Sequence, residues 1–287
     1  MNVEQWKYLG KFHTVLGRQI FVIDKGSATE TLVILHGYPT STFDYWMVLE
    51  RLSEKYRVII HDHLGFGLSD KPLDYSYSLI EQAELALGLW KSLTLTEVTI
   101  LAHDYGTSVA TEILARSQNS SIPIKIKELI LCNGSIHIEL SQLRLIQKLL
   151  KNKTIGPIVA NLASEQTFVR NMRNIWYDKS TINIEEFKEM WQLLISGNGR
   201  KILPKITQYI NERYTFWHRW IGALKQTELP VYIIWATEDP VAVKAIALKL
   251  HEEIPNSELH LLEKTGHYPM LEKPKEWCDL VLKALKN

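Results

Sequence analysis

Short apolar runs rich in β-branched residues recur along the chain, and each gives way at once to a cluster of Gly, Asp, His or Asn. The clearest are Thr31 to Leu35, Arg57 to Ile60, Glu97 to Leu101, Lys127 to Leu131, Pro230 to Trp235 and Glu258 to Leu262. Their apolar positions are continuous rather than alternating, as in strands buried on both faces. Between them, Ser78 to Leu93 and Ser108 to Ala115 repeat apolar residues at spacings of three and four, the period of a helix with one buried face. Strand and helix in alternation predict an α/β fold, a mostly parallel twisted sheet with helices on both faces. Ahead of the first parallel strand, FHTVLGRQIFVID reads as a hairpin turning at Gly17-Arg18, so an antiparallel pair opens the sheet.

The rhythm breaks between about Ser135 and Lys225, where the signals are helical and no strand pattern stands out. The expected division is therefore a core built from 1–134 and 226–287, with 135–225 inserted as a helical lid over the carboxyl edge of the sheet. SQLRLIQKLLK, NIEEFKEMWQLLI and LPKITQYINERYTFWHRWIGAL are its amphipathic segments. Composition narrows the function. With 287 residues, 46% of them hydrophobic, the chain can bury a large core without staples. Thirty-three Lys and Arg against 32 Asp and Glu leave a formal charge of +1, too balanced for a nucleic-acid partner. Cys132 and Cys278 are too few for a disulfide framework and lack zinc-site spacing, which fits a reducing compartment, the cytoplasm. No apolar run reaches the length of a membrane span.

Ligands of open α/β sheets bind outside the carboxyl ends of the strands. Those ends carry His36-Gly37-Tyr38-Pro39, His61-Asp62-His63-Leu64-Gly65-Phe66-Gly67, Ala102-His103-Asp104-Tyr105-Gly106, Ala236-Thr237-Glu238-Asp239-Pro240 and Gly266-His267-Tyr268-Pro269. The segment Ala102 to Gly106 has the small-x-nucleophile-x-small pattern of a sharp strand-to-helix elbow, with Asp where an esterase has Ser. An Asp there can form a covalent ester that water must hydrolyse. The plainer reading, Asp104 as a helix N-cap, competes with it. The order Asp104, Asp239, His267 along the chain matches nucleophile, acid and base in hydrolases of this architecture and favours the chemical reading. His61 and His63 with Asp62 between them suggest a metal, but the glycine-rich loop that follows reads as structural. No metal and no cofactor are expected, and His36, His61, Asp62, His63 and His103 are taken as structural.

With those residues in view, the chain resembles the α/β-hydrolases of the epoxide hydrolase and haloalkane dehalogenase branch, and within it the mesoderm-specific transcript group. HGYPTSTFDYW, HDHLGFGLSDKP, AHDYGTSVATEIL, LILCNGSI, QYINERYTFWHRWIGAL, EDPV and GHYPMLEKP carry the resemblance from residue 36 to residue 274. It implies Asp104 as nucleophile, His267 as the base that activates water, and Asp239 as the acid behind it. Glu139 is the alternative acid. The backbone N–H groups of Tyr38 and Tyr105 would form the oxyanion hole, with a cis peptide before Pro39.

The branch divides over the leaving group. An epoxide oxygen must be protonated, which the family does with lid tyrosines; a halide needs N–H donors. Tyr105 stands where dehalogenases keep an indole and Tyr38 where many keep Asn, so epoxide hydrolysis leads. Tyr209 is the candidate acid, balanced against a half-buried amphipathic role, while Tyr177 and Tyr214 read as structural. Trp176 is the indole that would support dehalogenation. A third possibility is a ligand-binding protein on the same fold that does not turn over. The expected partners are a small apolar organic substrate, an epoxide, haloalkane or ester, and water.

Overall fold

The computed structural model describes residues 1–119 and 122–285. Its strands are β1 (Lys11–Val15), β2 (Arg18–Lys25), β3 (Thr31–Leu35), β4 (Arg57–His61), β5 (Glu97–His103), β6 (Lys125–Cys132), β7 (Val231–Ala236) and β8 (Ser257–Leu262). They form one sheet in the order β1-β2-β4-β3-β5-β6-β7-β8. The pairs β1/β2 and β2/β4 are antiparallel and the other pairs parallel. The β1/β2 turn falls one residue earlier than expected. Val15 pairs with Arg18, so Leu16 and Gly17 are the turn residues, both at positive φ, the conformation a tight two-residue hairpin needs.

The helices are α1 (Val3–Lys7), α2 (Leu49–Ser53), α3 (Leu79–Ser92), α4 (Tyr105–Asn119), α5 (Leu145–Leu150), α6 (Gly156–Leu162), α7 (Glu165–Ile175), α8 (Ile184–Ile195), α9 (Gly199–Ile206), α10 (Tyr209–Gln226), α11 (Lys244–Glu253), α12 (Pro269–Glu272) and α13 (Pro274–Ala284). Side chains of β3 explain the layering: Val33 and Leu35 enter the core on one face, Leu32 and Ile34 that on the other. A strand alternates its side chains between faces, so a run apolar at every position needs cover on both.

Between β6 and β7 the described residues hold α5 to α10 and no strand. The amphipathic segment from Leu203 to Leu224 is divided between two helices, α9 and α10, with Pro204 inside α9 and a break at Thr207 and Gln208. α10 packs along α4. α10 thus rests on the helix that follows β5, and its first turns reach the sheet's carboxyl edge.

β3 lies between β4 and β5, while the chain runs β3, β4, β5. The connections leaving β3 and β5 therefore diverge to opposite sides, and the crevice between them is the topological switch point where such sheets bind ligands. Tyr38 follows β3 there and Asp104 follows β5.

Candidate active site

Asp104 occupies the turn between β5 and α4 with φ of +43°. This left-handed conformation is unfavourable for most side chains and tolerated by Asp, and it persists because the turn is pinned on both sides. The Asp104 N–H donates to the Cys132 carbonyl (3.1 Å), and the Asp104 carbonyl accepts from the Thr107 N–H (3.1 Å) and hydroxyl (2.6 Å). A Cβ on Gly106 would lie 2.1 Å from the Leu35 carbonyl oxygen, so the elbow has room only for glycine there. The result aims the Asp104 carboxylate into a cavity of about 110 Å³.

The groups expected around it are present. The Tyr38 N–H donates to Asp104 Oδ2 at 3.0 Å, beside a cis Tyr38-Pro39 peptide. Tyr105 begins α4, so its N–H belongs to the unpaired first turn of that helix. His267 Nε2 stands 3.9 Å from Asp104 Oδ2, and His267 Nδ1 is 2.6 Å from Asp239 Oδ2. Asp239 is held in turn: Oδ1 accepts the N–H groups of Val241 (2.7 Å) and Ala242 (3.1 Å), and Oδ2 accepts Asn133 Nδ2 at 2.8 Å. Burial disfavours an imidazolium at His267, but Asp239 and Asp104 on either side outweigh it and push the ring up to about 10. Burial likewise raises Asp104, and the His267 ring and the Arg213 guanidinium outweigh it, holding the carboxyl well below the usual range.

Arg213 carries no signal in the sequence, and it is the buried cation of the site. From the second turn of α10 its Nη2 donates to the Asp104 carbonyl at 3.0 Å and lies 3.6 Å from Asp104 Oδ1, while Nε donates to Ser108 Oγ at 2.8 Å. Its guanidinium also stacks over the Tyr209 ring, 4.6 Å from the centroid. Asn133 was legible in principle, because it follows β6 as the other site residues follow their strands.

Three expected residues are placed differently. Glu139 is exposed and binds His137 Nδ1 at 2.8 Å, not His267; the carboxylate bonded to His267 is that of Asp239. Trp176 does not line the cavity: its indole N–H donates to Thr181 Oγ1 at 3.1 Å, and the ring stacks on Tyr268. The indole that does line it is that of Trp191. Tyr209 stands one residue behind the wall, packed against Tyr38 and Tyr105, its hydroxyl accepting from the cavity-lining Gln147 Nε2 at 3.2 Å.

His36 and His103 bond the backbone around the site. His36 Nε2 accepts the His63 N–H at 3.0 Å, and His103 Nε2 meets the His267 carbonyl at 2.8 Å, fixing the loop that carries His267. Tyr177 and Tyr214 are exposed. Among the described residues no group of three or more His, Cys, Asp or Glu is arranged to hold a metal ion, and no helix is long and apolar enough to cross a membrane.

Comparison with known proteins follows the same lines. LipZ of Mycobacterium tuberculosis, named as a hydrolase, is 36% identical over 99% of this chain and 98% of its own length. The mesoderm-specific transcript protein of Mus musculus is 36% identical over 95% of this chain and 84% of its own. The solved epoxide hydrolase CorEH superposes with a TM-score of 0.78 over 96% of this chain and 98% of its own, at 19% identity, a likeness of fold. A family model described as the alpha/beta hydrolase fold matches residues 30–274. The chain belongs to the α/β-hydrolase family and is a hydrolase of that superfamily.

Proposed function

We propose that the protein hydrolyses a small epoxide through a covalent ester on Asp104. The observation that carries this reading is the Asp104 carboxylate at a positive-φ elbow, facing a cavity, with the Tyr38 N–H on one oxygen and the His267–Asp239 pair beside it. An Asp so placed serves more than a helix cap.

In the first step Asp104 attacks a ring carbon and the C–O bond of the epoxide breaks. The released oxygen takes a proton from Tyr209, for which Gln147, the lining residue bonded to its hydroxyl, must swing aside. Tyr209 is refilled from the His267 imidazolium, which gives up its proton once esterification has removed the Asp104 charge. His267 is then neutral and takes a proton from water, whose oxygen attacks the ester carbonyl. The Tyr38 and Tyr105 N–H groups receive the oxyanion, and collapse releases the diol, the proton passing from Asp104 to the departing oxygen.

Arg213 fits this cycle. Asp104 and Asp239 against His267 and Arg213 sum to zero in the resting site. Ester formation leaves one positive charge in excess, which favours loss of the His267 proton at the moment a base is needed.

Dehalogenation is the second reading, favoured by one observation: Trp191 lines the cavity and its indole N–H has no acceptor among the described residues. Trp176, committed to Thr181, is out of that role.

A single turnover in water labelled with heavy oxygen tests the ester. Water attacks the carbonyl carbon of the ester, so the label enters the Asp104 carboxylate, and a peptide containing Asp104 gains its mass. Label found only in the product would mean direct attack of water on the substrate and would remove Asp104 from the nucleophile's role.

A further inference from the structure

The charges that line the cavity do not balance. Asp104 and His267 offset one another, and the remaining charged side chain in the wall is Arg144. It lies at the N-terminal end of α5, partly buried, and no carboxylate among the described residues is within ion-pair distance of it. Arg213 and Asp239, directly behind Asp104 and His267, cancel. Glu272, the acid beside the His267 loop, is engaged outside the cavity by the N–H groups of Tyr177 and Gly266.

The lining carries a second unused polar group. Thr167 and Asn171, one turn apart on α7, face the cavity together with Phe168 and Met172. The Asn171 amide makes no hydrogen bond to a described residue. A guanidinium and a carboxamide, both partly buried and without protein partners, thus share a lining with Ile146, Leu150, Met172 and Ile175, where a ligand group can displace the water that solvates them.

We infer that the substrate carries a carboxylate at the end remote from its reacting carbon, and that Arg144, with Asn171, binds it. Guanidinium geometry suits the two oxygens of a carboxylate. One excess positive charge calls for a monoanion, and the apolar wall calls for a short alkyl chain between the carboxylate and the reacting carbon. The inference rests on the reading of this cavity as the substrate site. It names the substrate as a small epoxy or otherwise electrophilic carboxylic acid, where the sequence alone suggested an apolar one.

Calorimetric titration of the protein with hexanoate and with hexanamide tests this without any turnover. The two probes share size and chain and differ in charge. Hexanoate is expected to bind at least about tenfold more tightly than hexanamide, the range of a charge-assisted hydrogen bond. In Arg144→Met the preference is expected to fall below about threefold, and in Arg144→Lys to be partly kept. Asp104→Asn, which cannot form an ester, should keep the preference, so loss of the ester reading leaves this test intact. Equal binding of the two probes, no binding of either, or a preference that survives Arg144→Met would overturn the inference.

Discussion

Replacing Arg213 by Met removes the buried cation beside the proposed nucleophile while keeping much of the side chain's volume. Arg213 Nη2 lies 3.6 Å from Asp104 Oδ1, and both side chains are buried. At an effective dielectric of about 20, two unit charges at that separation attract by about 5 kcal/mol, which is an upper figure. Breaking one partner out of a buried pair costs about 3–5 kcal/mol in practice, enough to move a carboxyl titration by about two to four pH units. The assay is alkylation of Asp104 in a His267→Gln background, followed by intact mass against pH with styrene oxide as the probe. There Arg213 is the remaining cation beside Asp104, so its contribution is read alone. With Arg213 present, alkylation is expected to hold its rate down to the acid limit of the fold. With Met, a limb should appear above about pH 4, because a buried carboxyl without its cation takes up a proton at or above its ordinary value. Arg213→Lys keeps the charge and should suppress the limb while slowing the plateau, since it loses the fork to Ser108 and the Asp104 carbonyl. Equal pH profiles for Arg213 and Met, differing only in amplitude, would refute the electrostatic argument and leave Arg213 a packing residue.

Other expectations follow from the same geometry. Asp239→Asn should slow hydrolysis of the ester strongly while Glu139→Gln leaves turnover unchanged, because His267 Nδ1 meets Asp239 at 2.6 Å and Glu139 binds His137; steady-state rates of the two variants decide it. Asn133→Ala strips the Nδ2–H donor from a buried carboxylate and the acceptor of the Ala236 N–H, so it should cost about 1–3 kcal/mol by urea unfolding. Stability should fall as pH drops from about 6.5 toward 4. Burial lowers His36 to about 3 and His61 and His103 to about 4, so the unfolded chain binds protons there that the folded one refuses. Asp44 and Asp62, raised by burial, run the other way and offset part of this slope. A urea midpoint that rises between pH 7 and pH 5 would contradict the balance.

The parts of the site that the sequence makes legible are those tied to strand ends. A parallel ladder fixes where each strand stops, so Tyr38, Asp104, Asp239 and His267 could be placed on one edge from apolar runs alone, and β3 begins and ends where its pattern does. The elbow was legible because a close backbone approach leaves a compositional trace, here Gly106 against Leu35. The helices between β6 and β7 leave no such trace. Amphipathic period tells that α7 and α8 have a buried face and says nothing of what it is buried against. Trp176 and Trp191 are alike on that criterion, yet one is bonded to Thr181 and the other lines the cavity. Tyr209 is near the nucleophile as expected but faces Gln147, because α9 ends at Ile206 and α10 starts a new direction three residues later. Arg213 follows from that same break. A charged residue in a helical pattern reads as solvated until the packing of α10 on α4 turns it inward. Glu139 was a candidate by chain position alone, and a carboxylate two residues from His137 has a nearer partner.

The most direct measurement is the intact mass of His267→Gln after incubation, separately, with epoxides, haloalkanes and esters. Without the base the ester on Asp104 should form and persist. The account predicts a mass gain equal to the whole epoxide, located on the peptide containing Asp104 and absent in the Asp104→Asn counterpart. A gain equal to the haloalkane less its hydrogen halide would transfer the protein to dehalogenation. No adduct with any member of the panel, from a variant that remains folded, would contradict the aspartyl-ester account.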